Sequence, residues 1–334
     1  MYRFVTILTI ILFYSCVDDF DLKLDGAQPK LVVEGIINNL PGPYYVRLTT
    51  SNTGNQTSSG GVYPYIDNSN PVMDAKVIIS DNHGLVDTLT VLNIDETEYD
   101  WTPGVGYFKL NLDENGNVLD TSFISEDFMV CNKRGYYITN KLTGKVNSTY
   151  FLTILWQGES YEASAFMPPV PKLDSVDYLK KILEKDGQEY YAPLISFAEP
   201  QDTANYYLIL LHKESYYRFS SVAYLDNWEV SILSDSNLEP YVSELNVNLG
   251  YNPRGIEYIT NYSQGDSIYV SLNSLTLESF NFYKALIDQF ASDGGAYKPA
   301  PASPPGNISN GALGLFRASA VSEGTSDPII WNEN

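Results

Sequence analysis

The chain has 334 residues, a formal net charge of −21, two histidines and two cysteines. So acidic a surface argues against binding nucleic-acid phosphates, which demand a basic face, and against lying flat on anionic lipid. Hydrophobic residues reach 44% and there are 27 tyrosines, enough apolar material for real cores and a composition that leans toward β structure.

Arg3 supplies a positive start, and Phe4 to Phe13 form an apolar run. The run is shorter than the roughly 20 residues that span a bilayer. Tyr14-Ser15-Cys16 resembles a bacterial lipobox, with Phe13 standing where an aliphatic residue is usual. The expectation is a signal peptide over 1–15 and diacylglycerol on the Cys16 thiol. Cleavage before Cys16 and acylation of the new amine follow. Two or three acyl chains anchor durably, at roughly 0.8 kcal/mol per buried CH₂. An ordinary secretory signal with a chance cysteine is the competing reading. Asp18, Asp19 and Asp21 resemble the acidic export signal that sends Bacteroidota lipoproteins to the outer face of the outer membrane. They serve equally as part of a flexible acidic tether, which residues 16–29 form under either reading. With Cys16 acylated, Cys131 has no partner within the chain and reads as structural.

The body begins with a strand at Lys30–Ile37, a Pro-Gly-Pro turn at 41–43 and a return strand at Tyr44–Thr50, where Val46 and Leu48 alternate with Arg47 and Thr49. A Ser/Thr/Gly/Asn-rich loop fills 51–71. Ala75, Val77 and Ile79 alternate, and Asp81–Gly84 turns the chain into Asp87–Leu92. Strands follow at Tyr107–Leu112, Tyr150–Trp156 and Tyr161–Phe166, the last two joined by a turn at Gly158-Glu159. Met167-Pro168-Pro169-Val170-Pro171 reads as a semi-rigid spacer between two domains, 30–168 and 171–322. Beyond it come strands at Ser175–Leu179, Tyr190–Phe197, Asn205–Leu211, Tyr216–Phe219, Ser267–Leu272 and Leu313–Val321. Leu277, Phe280, Tyr283, Leu286, Ile287 and Phe290 recur at helical spacing. Thr276 or Ser279 can cap this helix and Gly294-Gly295 can end it, which predicts an amphipathic helix over 277–292 packed on the second unit. A Pro/Gly/Asn loop over 296–311 and a tail over 323–334 complete the chain. The fold class expected is mainly β: two antiparallel β-sandwich domains, the second with one helix.

No motif carries a reaction. His83 sits in a turn and His212 ends a strand, neither with a second histidine at ligand spacing. Asp113 to Asp120 alternates oxygen-bearing side chains, but Gly116 is fourth and Ile124 twelfth, so the EF-hand pattern fails and a hairpin turn is expected. With 41 acidic residues, carboxylate pairs arise by chance in any fold, and none stands out as a glycosidase pair. Tyr190-Tyr191, Tyr206-Tyr207 and Tyr216-Tyr217 lie on strands, where neighbours face opposite ways. One of each pair is expected in a core and the other free to stack on a ligand such as a glycan.

The order of segments LVVEGIINN, PVMDAKVIISDNHG, YFLTILWQGESYEASAFMPPVPKLDSV, LISFAEPQDTANYYLILL and PPGNISNGALGLFRAS resembles the Bacteroidota lipoproteins grouped as domain of unknown function family 4249. That pattern leads one to expect Asp where Glu199 precedes Pro200. The first half is also similar to the transthyretin-like, carboxypeptidase-regulatory-type β-sandwich. The resemblance implies an outer-membrane lipoprotein, commonly encoded beside TonB-dependent transporters, and no known activity. Anchor, sandwich and the lack of a reactive motif, strengthened by that resemblance, lead one to expect a non-enzymatic accessory lipoprotein without cofactor or metal, partnered with such a barrel. The alternative is a surface module that captures a glycan or other nutrient. Asp-Ser/Thr-apolar triplets resemble the short Bacteroidota O-glycosylation pattern and make Thr88, Ser175, Thr203 and Ser267 candidate acceptors.

Overall fold

The computed structural model describes residues 28–51, 70–91, 105–112, 118–126, 135–182, 189–212, 230–247, 265–291 and 304–330. In chain order its elements are β1 (Leu31–Asn38), β2 (Tyr45–Thr50), β3 (Asn70–Pro71), β4 (Lys76–Asp81), β5 (Val86–Thr88), β6 (Thr90–Val91), β7 (Val105–Leu112), β8 (Val118–Glu126), β9 (Tyr136–Ile138), β10 (Thr149–Trp156) and β11 (Glu159–Phe166). They continue with β12 (Leu173–Ile182), β13 (Glu189–Ala198), β14 (Tyr206–His212), β15 (Val230–Ser234), a 3-10 turn at Asp235–Asn237, β16 (Tyr241–Asn246), β17 (Tyr269–Leu275), α1 (Leu277–Ala291), β18 (Leu313–Ser319) and β19 (Val321–Thr325).

Alternation builds the first sandwich. In β1, Leu31, Val33 and Ile37 point inward; in β10, Tyr150, Leu152 and Ile154 do. One sheet runs β18-β1-β2-β9-β6 with β3 beside β2, and the facing sheet runs β11-β10-β4-β5. Their inner faces share a single core, to which β18 adds Phe316 and Ala318. The second sandwich faces β12-β13-β16 against β15-β14-β17-β19, with Ile195, Phe197, Ile209 and Leu272 at its centre. Helix α1 lies on the outer face of the latter sheet. There Phe282 and Tyr283 pack with Leu208, Ile232 and Leu275, as its apolar stripe requires. Thr276 caps it, its Oγ1 accepting from the Ser279 backbone N–H at 3.2 Å.

The structure differs from the sequence reading in how the end of the chain is used. Leu313–Val321, expected as one strand of the second unit, is divided at Ala320. Its first part, β18, pairs in parallel with β1, from Val32↔Leu313 to Asn38↔Ser319. Its second part, β19, pairs antiparallel with β17. Every other strand pair among the described residues is antiparallel. The proline segment is wedged in place rather than spanning open solvent: Met167 is fully buried in the first core and Val170 packs on both cores. The turn between β10 and β11 is Gln157-Gly158, both at positive φ, so Glu159 already opens β11. That is the backbone a two-residue hairpin needs to follow strand twist. β7 and β8 form the hairpin expected around residue 113. β3, β9, β15 and β16 have no counterpart in the sequence reading, and Tyr216–Phe219 lies outside the described residues.

Candidate functional site

The outer face of the β11-β10-β4-β5 sheet is the surface that stands apart. Residues opposite the inward set of β10 are Phe151, Thr153 and Leu155, and β11 adds Phe166 beside them. Phe151, Leu155 and Phe166 are 43%, 42% and 42% exposed, and Val86 on β5 is 53% exposed. Register arranges them in rows. Ser164, Phe151, Ser80 and Val86 form one row; Glu162, Thr153, Ile78 and Thr88 form the next; Ser160, Leu155 and Lys76 form a third. Lys76 and Glu162 are the charged side chains in these rows, in a chain whose net charge is −21. Four large apolar side chains exposed on one sheet face, set among small hydroxyl residues, make it a candidate interaction surface. Sequence reasoning took the inward face of β10 and passed over the outward one. The signal was present, since TYFLTILW sets Phe151 and Leu155 on the face where a solvated antiparallel strand would be polar.

The opposite sheet buries charge instead. On its outer face Glu34 pairs across to Arg47, and Arg47 to Tyr136. Arg317 from β18 lies beside Ile36. Arg47 and Arg317 are both buried. Each guanidinium lies against an aromatic face, Arg47 5.3 Å from the Tyr136 centroid and Arg317 5.7 Å from that of Tyr283 on α1. Arg317 Nη1 donates to Ser319 Oγ at 2.6 Å, and the Tyr45 hydroxyl donates to Glu34 Oε1 at 3.0 Å. Burial, with the Glu34 charge beside it, holds the Tyr45 phenol well above its ordinary value; Arg317 acts the other way. Burial also raises Tyr283, again opposed by Arg317. Tyr45 donates to Glu34 while the Tyr283 oxygen accepts from Arg317, and the cluster ties β1, β2, β9, β18 and α1 together.

A third polar centre closes the β13–β14 turn. Glu199 is 4% exposed, and both its oxygens accept from the Tyr207 hydroxyl at 2.9 Å, while Asn205 Nδ2 donates to Oε1 at 2.8 Å. Burial raises the Glu199 carboxyl, against the hydrogen bonds from Asn205 and Tyr207. Burial, together with Glu199, raises Tyr207 strongly.

Cys16, Asp18, Asp19, Asp21 and Cys131 lie outside the described residues, as do the 113–117 turn and Tyr216-Tyr217. Thr88, Ser175 and Thr203 are exposed and Ser267 is half-buried; they lie on separate strands and turns. The Asp87 carboxylate that precedes Thr88 is buried, and its Oδ2 accepts the backbone N–H groups of Asn140, Lys141 and Leu142 at 2.9, 2.9 and 3.0 Å. His83 is exposed, with Nε2 3.1 Å from Ser148 Oγ; His212 ends β14 opposite Tyr269. Tyr191 and Tyr207 fill the second core. Tyr206, expected to be free, stacks 5.0 Å from Phe280 of α1 and is therefore covered by the helix. Among the described residues no group of three or more His, Cys, Asp or Glu gathers to hold a metal ion. No helix among them is long and apolar enough to cross a membrane.

A family model described as a domain of unknown function, DUF4249, matches residues 17–325. The chain belongs to this family. No curated protein and no solved structure matches it. The DUF4249 match takes in both sandwiches and ends at Thr325, the last residue of β19, so the strands that return to each sheet are part of the family unit.

Proposed function

We propose that this DUF4249 protein is a lipid-anchored accessory protein of the outer membrane. It is joined there to a barrel of the TonB-dependent transporter kind and works through its surfaces rather than by a reaction of its own. The observation that carries the reading is a spacing. β1, the first strand of the sandwich, opens at Leu31, fifteen positions after Cys16. An acylated Cys16 then holds the first strand within about 50 Å of the bilayer, even with the tether fully extended. A body so held works against the membrane and what is embedded in it. The sandwich nearest the tether, similar to transthyretin-like accessory modules, supports the same reading. Asp18, Asp19 and Asp21 direct it to the extracellular side.

Pull-down of the full chain from detergent-solubilised membranes is expected to recover an outer-membrane barrel; recovering the chain alone would sink the proposal. Mass spectrometry of the N-terminal peptide is expected to show an acylated Cys16. Replacing all three aspartates with alanine is expected to protect the protein from external protease in intact cells. Continued digestion would leave the acidic stretch as a tether only.

A further inference from the structure

We infer that the outer face of the β11-β10-β4-β5 sheet holds a second copy of this chain, related to the first by a two-fold axis running along β10. The argument begins from charge. Two bodies of net charge −21 repel wherever their general surfaces meet. On this face the rows built around Phe151, Thr153 and Leu155 carry one Lys and one Glu, so these rows carry no net charge in a chain of −21. Its exposed Phe151, Leu155 and Phe166 supply the apolar area that face-to-face sheets bury.

The positions of the two charges then select the axis. Lys76 lies on β4, on one side of β10, and Glu162 lies on β11, on the other. A two-fold perpendicular to the strands would set β11 over β11 and bring Glu162 toward its own copy. A two-fold along β10 sets β11 of one copy over β4 of the other. Glu162 then sits above Ile78, one row of about 7 Å from Lys76 and within reach of a lysine side chain. Two reciprocal Lys76–Glu162 pairs form at the rim. Phe151, Thr153 and Leu155 each meet their own counterpart along the axis. This is the self-complementary pattern of an isologous interface.

Thr153, central and exposed to the partner copy's Thr153, gives the test. The full chain carrying Thr153→Cys and Cys131→Ala, in its native membrane, is treated with a short bismaleimide. A product at twice the monomer mass is expected. Phe151→Lys, which alters an exposed side chain only, is expected to abolish it. Lys76→Glu is expected to lower the yield about tenfold, and adding Glu162→Lys to restore it. The inference is overturned by no product, by a product at the mass of a different protein, by one that survives Phe151→Lys, or by an equal yield from Glu239→Cys on the second sandwich.

Discussion

Glu199 shows how much one buried carboxylate does in this molecule. It stands one residue past β13, and the phenol it receives belongs to Tyr207, eight residues on in the same LISFAEPQDTANYYLILL segment. Because burial raises its folded pKa, the folded state binds the proton more tightly than the unfolded chain does. The associated stability is therefore present below the ordinary value of 4.5 and is lost as pH rises through the higher folded value. Thermal unfolding followed between pH 4 and 7 is expected to show wild type losing ground to Glu199→Gln as pH rises, and a constant difference below 4.5. A difference that grows in the opposite direction would contradict the burial argument. The sequence showed an acidic residue before proline but not what it holds, because Tyr207 becomes its partner only once β13 and β14 are placed in facing sheets. Asp87 teaches the same lesson. The triplet Asp87-Thr88-Leu89 drew attention to its hydroxyl, yet in the fold the carboxylate gathers three backbone N–H groups from a segment more than fifty residues away.

At the scale of elements, strands were legible wherever alternation was long. β1, β2, β10, β11 and α1 follow directly from the spacing of their apolar residues. Short strands such as β9, with three residues, carry too little period to detect. Partners were less legible than elements. Nothing local in LGLFRAS says that it lies beside LVVEGIIN rather than beside β17. The physical reasons sit in the residues around it. Gly314 has φ +100°, and a Cβ there would lie 1.9 Å from the Val33 carbonyl oxygen, so only glycine lets β18 approach β1. Asn307 then closes the gap to β11. Its Nδ2 donates to the Phe316 and Ser164 carbonyls at 2.7 and 3.1 Å, and its Oδ1 accepts the Phe316 N–H at 2.9 Å. Gly314→Ala is expected to cost at least about 4 kcal/mol in denaturant unfolding, because a backbone collision adds to the strain. Gly311→Ala, also at positive φ but with open space around it, is expected to cost only about 1–2 kcal/mol. Similar losses at the two positions would mean that conformation rather than close approach governs Gly314.

Across the whole molecule, the two sandwiches are stitched rather than strung. Ser274 on β17 donates its hydroxyl to the Pro168 carbonyl at 2.7 Å and accepts the Ala320 N–H at 2.9 Å. Asn39, just past β1, accepts the Val321 N–H at 2.7 Å. Arg317 against Tyr283 adds a contact between the first sandwich and the helix of the second. Calorimetry is accordingly expected to show one transition for both halves. Ser274→Ala, which leaves the buried Ala320 N–H without an acceptor, is expected to lower stability by about 1–3 kcal/mol while that single transition persists. Two separate transitions in the wild type would show that the seam does not couple them.

The parallel pairing of β1 with β18 also sets a timetable. β1 emerges first, yet its neighbour on one side follows it by some 280 residues, as the 282-residue separation of Asn39 and Val321 measures. During synthesis that strand keeps an edge of unpaired N–H and C=O groups, which invites wrong pairings until the far end arrives. Closing so long a loop places this protein among slow folders, in which the first residues to appear are among the last to find their places.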